Sequence, residues 1–280
     1  MIAPSFSILR SIDWRELSTS FRTIYSNRHL TWSLTKRDLT GRYQGSFLGA
    51  LWSFINPLVL MVIYTIVFAV FLKIRFENAG SALHSTLYIL AGIIPWIAFQ
   101  ESISHSAMVV SENANLIKKV VFPSEILPIK VALSCLMSQA IGFMILLAGQ
   151  LLINREFHWT MAQLPLIVFF QFVFTLGCSW LVASLGVFIR DIHQAVNLLL
   201  MVIFFMTPIM YPISIFPSPI VKLIYLNPMT VIITSYRNLV LDGQWIAGFT
   251  MMKLIGTSLF FFFLGFFWFS KTKKLFIDIL

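Results

Sequence analysis

Six stretches of the chain are apolar over a length that suits a membrane crossing: 47–72, 87–110, 127–153, 164–189, 196–211 and 246–269. A helical crossing takes about 20 mostly apolar residues, and the fifth stretch reaches that only by continuing past Pro208. Ahead of them, Asp13-Trp14-Arg15-Glu16 has the spacing of a capping box that starts a helix. Leu17, Phe21 and Ile24 then recur at helical spacing, with Ser20, Thr23 and Asn27 on the opposite face. Such a helix lies in the headgroup plane, apolar face down and basic residues among the phosphates. The pattern predicts an all-α membrane protein of six transmembrane helices with an N-terminal amphipathic interfacial helix.

Prolines and glycines punctuate this pattern. Lys36, Arg37 and Arg42 mark the membrane surface where the chain turns from lying along it to crossing it. Gly41, Gly45 and Gly49 leave room for that bend, and Pro57 removes a backbone hydrogen bond inside the first span. Gly92 to Pro95 predicts a break in the second span. Pro208, Pro212, Pro217, Pro219 and Pro228 crowd together after the fifth, and the apolar pieces 220–226 and 229–241 are too short to cross. They read as re-entrant short helices between spans five and six, tolerated only where protein or a water-filled cavity covers the broken backbone. The expected organisation is one domain over 1–280, with the interface helix region at 12–42, the bundle at 47–269 and the re-entrant segment at 212–245.

Composition agrees: 58% of the 280 residues are hydrophobic and 11% charged, against roughly 25% charged in an average soluble domain. The first 30 residues are polar and carry four arginines, which speaks against a secretory signal. A net charge of +9 raises the question of nucleic acid. The basic residues cluster beside apolar segments, however, where they set topology and meet anionic lipid. With the N-terminus inside, fourteen of the 20 Lys and Arg fall on the cytoplasmic side. An even number of spans then puts both termini in the cytoplasm. Cys135 and Cys178 sit in apolar runs without metal-ligand spacing and read as free thiols.

Little in the sequence suggests catalysis. It has no phosphate-binding G-x-x-x-x-G-K-[S/T] loop, no G-x-S-x-G and no H-E-x-x-H. Its few aspartates do not pair at a spacing suited to metal-assisted phosphoryl transfer, so the chain reads as a non-enzyme. Glu101 and His105, one helical turn apart with Gln100 adjacent, form a polar face inside the second span. Ionisable groups at that depth face a cavity or a partner, and one carboxylate with one imidazole falls short of a zinc site. The loop 111–125 mixes Leu116, Ile117, Val120, Val121 and Phe122 with Lys118 and Lys119. That mixture suits a short helix that docks in another protein's groove, or one that lies on the bilayer.

Several stretches, in order, carry a resemblance. They are KRDLTGRYQGSFLGALWSFINPL at 36–58, GIIPWIAFQESI at 92–103, NLIKKVVFPSEILPI at 115–129, RDI at 190–192, TPIMYP at 207–212 and LNPMTVIITSYRNLVLDG at 226–243. Together they resemble the permease subunits of ABC exporters for lipid-linked polysaccharides: O-antigen, capsule and teichoic acid. The resemblance implies a homodimer of six-span subunits with two copies of a separate ATPase, which holds the ATP and magnesium. This chain would then hold no cofactor and no metal of its own. It makes Leu116, Ile117, Lys118, Lys119, Val120, Val121 and Phe122 the segment coupled to the ATPase, and 212–241 the outer gate. It implies an undecaprenyl-linked polysaccharide as cargo, O-antigen first, crossing the bacterial inner membrane. Trp52, Tyr64, Trp96, Phe99, Glu101, His105, Tyr225 and Tyr236 are the channel and gate candidates, with aromatic faces stacking on sugar rings. An ABC permease for another lipid or a drug, or a secondary transporter, is the alternative.

Overall fold

The structure is a computed structural model and describes residues 14–41, 49–64, 66, 67, 71, 82–119 and 122–280. All regular structure among these residues is helical. Four helical stretches are long and apolar enough to cross a membrane: His84–Glu112, Ile126–Ile153, Trp159–Phe188 and Gly248–Ile279. They correspond to helices α4 (Ala82–Glu112), α6 (Ile126–Ile153), α7 (Leu164–Phe188) and α11 (Gly248–Thr272), which match the second, third, fourth and sixth expected spans. α8 (Ile192–Met206) is a shorter apolar helix that ends before Pro208. The first stretch is described in part, by α3 (Trp52–Tyr64); Gly45, Phe47 and the segment 72–80 lie outside the described residues.

Proline does not always break these helices. α4 runs on through Pro95 instead of stopping at the expected break. The missing N–H of Pro95 leaves the carbonyl one turn earlier unserved, yet packing on both sides holds the helix, since positions 85–96 are buried throughout. A true turn comes at Gly49, whose φ of +48° is a left-handed conformation open to glycine, just ahead of α3.

The bundle is drawn tight by glycines on facing helices. A Cβ at Gly265 of α11 would lie 1.9 Å from the Gly177 carbonyl oxygen of α7, and one at Gly177 would lie 2.4 Å from the Phe261 backbone. Without a hydrophobic driving force between helices in lipid, such backbone-to-backbone approach is what packing energy rests on. Around this contact lie two apolar cores. One centres on Trp96, Tyr236 and Leu239, the other on Trp180, Phe266, Phe269 and Phe276.

The N-terminal part folds as α1 (Trp14–Ser26) and α2 (Arg28–Gly41), with α2 against α6 and α1 touching α11. Ile24 packs on the second core as its place on the apolar face implies. Ser20, expected on the polar face, is instead buried at 3% exposure and accepts a hydrogen bond from the Lys273 ammonium at 3.0 Å. The helix is therefore held at its polar edge by protein.

Gly265→Ala should force α7 and α11 apart and cost about 1–3 kcal/mol, the usual penalty of overpacking. Gly256, on the same helix with open space around it, should tolerate alanine or gain slightly in helix propensity. Thermal unfolding of the two purified variants in detergent measures the difference.

Candidate functional site

One end of the bundle, where α5 (Ala114–Lys119) joins α4 to α6, is tied by charge. Glu125 is 2% exposed and paired with the Lys273 ammonium; its backbone carbonyl accepts from the Trp180 indole at 3.2 Å. Close by, Lys130 of α6 lies 3.7 Å from the Asp38 carboxylate of α2. A cavity of about 360 Å³ opens here, lined by Leu34, Arg37, Asp38, Gly41, His105 and Lys130.

From His105 a polar strip climbs α4. Gln100, Glu101, Ser104 and His105 share one helix face, with Gln100 and His105 exposed and the other two half-buried. Across from them, α8 presents His193 and Asn197, again one turn apart. Ser104 Oγ donates to Asn197 Oδ1 at 2.7 Å and lies 3.3 Å from His193 Nε2. The Trp96 indole donates to Gln100 Oε1 at 2.7 Å. A polar face of this size on an otherwise apolar chain cannot look onto lipid tails without a large desolvation penalty. It faces water, a ligand or another subunit.

Deeper in, a closed amide network ties four helices. Gln139 Nε2 donates to Gln171 Oε1 at 2.9 Å, and Gln171 Nε2 returns the bond to Gln139 Oε1 at 2.8 Å. The Tyr236 hydroxyl donates to Gln171 Oε1 at 2.6 Å, and Gln171 Nε2 also reaches the Pro95 carbonyl at 3.2 Å. Tyr236 belongs to α10 (Pro228–Val240), which follows α9 (Ser218–Leu226). Asn227 caps α10 by accepting from Met229 N–H at 3.0 Å, and its amide donates to Thr207 Oγ1 at 2.8 Å. The buried Arg237 guanidinium donates to the carbonyls of Tyr88, Pro208 and Ile209 at 2.9, 2.7 and 2.6 Å. The Tyr88 hydroxyl in turn bonds Asp242.

A model of the ABC-2 type transporter family matches residues 29–241. The chain belongs to that family. Among its relatives is an O-antigen export system permease protein RfbA from Myxococcus xanthus, 33% identical over 218 residues, which cover 77% of this chain and 82% of the relative. Two from Klebsiella pneumoniae bear the same name. One is 32% identical over 216 residues, 75% of this chain and 79% of the relative; the other is 30% identical over 262 residues, 88% and 93%. The ABC-2 match takes in the cavity, the polar strip, the amide network and Arg237, while α11 lies beyond it.

Set on this ABC-2 bundle, the expected site residues separate. Glu101 and His105 sit together on the strip, as their spacing implies. Of the aromatics expected on a channel, Trp52 is 36% exposed, Tyr225 45%, and Tyr64 is half-buried. Trp96, Phe99 and Tyr236 do not present a face to open space: they are 1%, 5% and 0% exposed. Trp96 packs on Phe204, Phe99 on Phe174 and Tyr236 on Phe143, since large rings at helical spacing bury most area against neighbouring helices. In the loop, Lys118 and Lys119 are exposed and Leu116 half-buried, whereas Ile117 and Phe122 pack into the second core. Lys36 and Arg37 are exposed on α2. Arg42, Val120 and Val121 lie outside the described residues.

Sequence reasoning missed Ser104, His193 and Asn197, although the one-turn spacing of His193 and Asn197 is the same signal that marks Glu101 and His105. It also missed Gln139 and Gln171, two lone amides in apolar runs that no periodicity singles out.

Arg237→Ala should leave the buried Pro208 and Ile209 carbonyls short of a donor and cost about 3 kcal/mol or more, by the usual worth of bonds to a charged group. Arg237→Lys should recover only part of this, because one ammonium cannot reproduce the guanidinium fork. Unfolding midpoints and monodispersity in detergent distinguish the two.

Proposed function

We propose that this chain is the membrane permease subunit of an ATP-driven ABC exporter that moves an undecaprenyl-linked polysaccharide, with lipopolysaccharide O-antigen as cargo. The observation that carries this reading is the 30% identity to an O-antigen export permease over 88% of the chain. The polar strip gives it a physical basis. A sugar polymer offers hydroxyls at every step and little fixed shape, so its path needs amides, hydroxyls and imidazoles more than a pocket. Gln100, Ser104, His193 and Asn197 supply these on one face.

The working unit is a homodimer in the bacterial inner membrane, with both termini cytoplasmic and two ATPase subunits at the α5 end. Each subunit crosses six times, the first and fifth crossings containing α3 and α8. Both helices pack against α4 and expose apolar side chains such as Val62, Ile63, Leu199 and Val202, which suits contact with a second copy. The two strips then face each other across a wet path. Lys118 and Lys119 offer the ATPase its contact, while Ile117 and Phe122 pack into the bundle on either side of them, so that a push on the lysines moves helices. ATP and magnesium stay on the partner. The interface region 12–42 frames the inner opening, and α9 with α10, inside 212–245, forms the outer gate as a re-entrant element.

In cells lacking this chain, lipid-linked polymer should accumulate inside and disappear from the surface, and the intact chain should restore it. Restoration should fail when the partner ATPase is made hydrolysis-deficient, and should persist when the ion gradient is collapsed with ATP maintained. Transport that follows the gradient instead would identify a secondary transporter.

Glu101→Gln keeps shape and removes charge on the strip. Export should fall while the complex assembles and binds ATP normally. Normal export by Glu101→Gln, with loss of assembly only in Glu101→Leu, would reduce the residue to a structural role.

A further inference from the structure

We propose that the cavity between α2, α4 and α6 is a phosphate-group site, built to hold the phosphate through which a lipid carries its headgroup. The assignment of the lipid as cargo rests on the export reading above; the anion chemistry does not.

Three basic side chains come to this cavity from three different helices: Arg37 from α2, His105 from α4 and Lys130 from α6. Asp38 is the one carboxylate among the described lining residues. Two permanent cations against one carboxylate leave the lining positive even with a neutral imidazole. Lys130 is 8% exposed, yet its ammonium keeps 3.7 Å from Asp38. Lys273 differs in its partners: its ammonium meets both the Glu125 carboxylate and the Ser20 hydroxyl. Lys130 is steered by its carboxylate and still faces open volume. Keeping an ammonium nearly buried beside unfilled space is costly unless an anion completes the site.

Size and depth fit the same ligand. With roughly 30 Å³ as one water's share of the liquid, a cavity of about 360 Å³ accommodates a diphosphate and its remaining waters. Lys130 lies four residues into α6 and His105 seven before the end of α4, about 6 and 10 Å along their axes. That is headgroup depth for helices whose ends lie at the membrane surface. Arg37 brings a planar fork matched to phosphate oxygens, and the His105 ring carries an N–H donor in either tautomer. His105 also belongs to the polar strip. A phosphate held here therefore places the group bonded to it beside Ser104 and Glu101, and the Glu101 carboxylate discourages the phosphate itself from moving further up.

The test uses the full chain with its ATPase in nanodiscs of phosphatidylcholine, and two probes: a radiolabelled polyprenyl diphosphate, and phosphatidylglycerol added to the disc. Wild type should bind the diphosphate saturably. Arg37→Gln, an exposed position, should weaken it by about tenfold, the worth of one charge-assisted bond. Lys130→Gln combined with Asp38→Asn removes the internal pair as a unit and should weaken it by a similar factor. Arg37→Lys should fall between wild type and Arg37→Gln. If phosphatidylglycerol leaves diphosphate binding unchanged, the site takes the cargo phosphate; if it competes and the same variants relieve that competition, the site takes a bilayer headgroup. Wild-type affinity for both probes in folded variants would overturn the proposal. Loss of binding with export unaffected would leave the phosphate site standing and remove its cargo role, whereas ATP-independent export would overturn the export reading alone.

Discussion

Inside a bilayer a backbone carbonyl that loses its helical partner has no water to turn to, and each one left bare costs several kcal/mol. The chain loses such partners after α8, where Pro208 and Pro212 prevent the helix from continuing. Arg237 answers this by donating at once to Pro208, Ile209 and Tyr88. Because the guanidinium comes from α10 and Tyr88 from α4, satisfying the break also fixes where α10 lies. Gly92 completes the arrangement: a Cβ there would sit 3.0 Å from the Arg237 fork. The whole α10 end follows from one buried cation and the room left for it.

The α5 end obeys the same constraint with different groups. Glu125, nearly inaccessible, would be prohibitive alone. Lys273 neutralises it and also holds Ser20, so the N-terminal helix, the start of α6 and the C-terminal helix end meet at one point. Between the two ends the helices approach through Gly177 and Gly265 with no room for a side chain. Two polar ties and close backbone contacts therefore constrain the bundle along its length, and α8 lies at its edge, sharing the polar strip with α4.

Much of the bundle was legible because length and apolarity are sufficient signals for a crossing, which is why α4, α6, α7 and α11 fall where the pattern puts them. Glu101 and His105 were legible for a related reason, as charge is rare in such segments and spacing assigns the face. What stayed hidden depends on distant residues meeting. Nothing near Lys130 in sequence announces Asp38, and nothing near Ser20 announces Lys273. Helical periodicity put Ser20 on a solvated face because it counts only the helix itself. The same blindness promoted Trp96 and Phe99, whose rings look available until Phe204 and Phe174 are brought against them.

On the export reading, coupling between the ATPase and the cargo becomes a question of lever arms. Lys118 and Lys119 stand exposed on α5, and Glu125 anchors the residue before α6. Lys130 is five residues further along, on a helix that does not bend independently of its first turn. On the reading proposed, a displacement of the loop that strains the Glu125–Lys273 tie carries Lys130 with it and so changes the spacing between Lys130 and Arg37 on α2. On that reading, a site whose two principal cations belong to different helices would bind an anion tightly when they approach and release it when they part. No bond to the ligand would then need to be broken by chemistry in this chain, since the work would enter as motion at one end of α6 and leave as a changed affinity one turn along it.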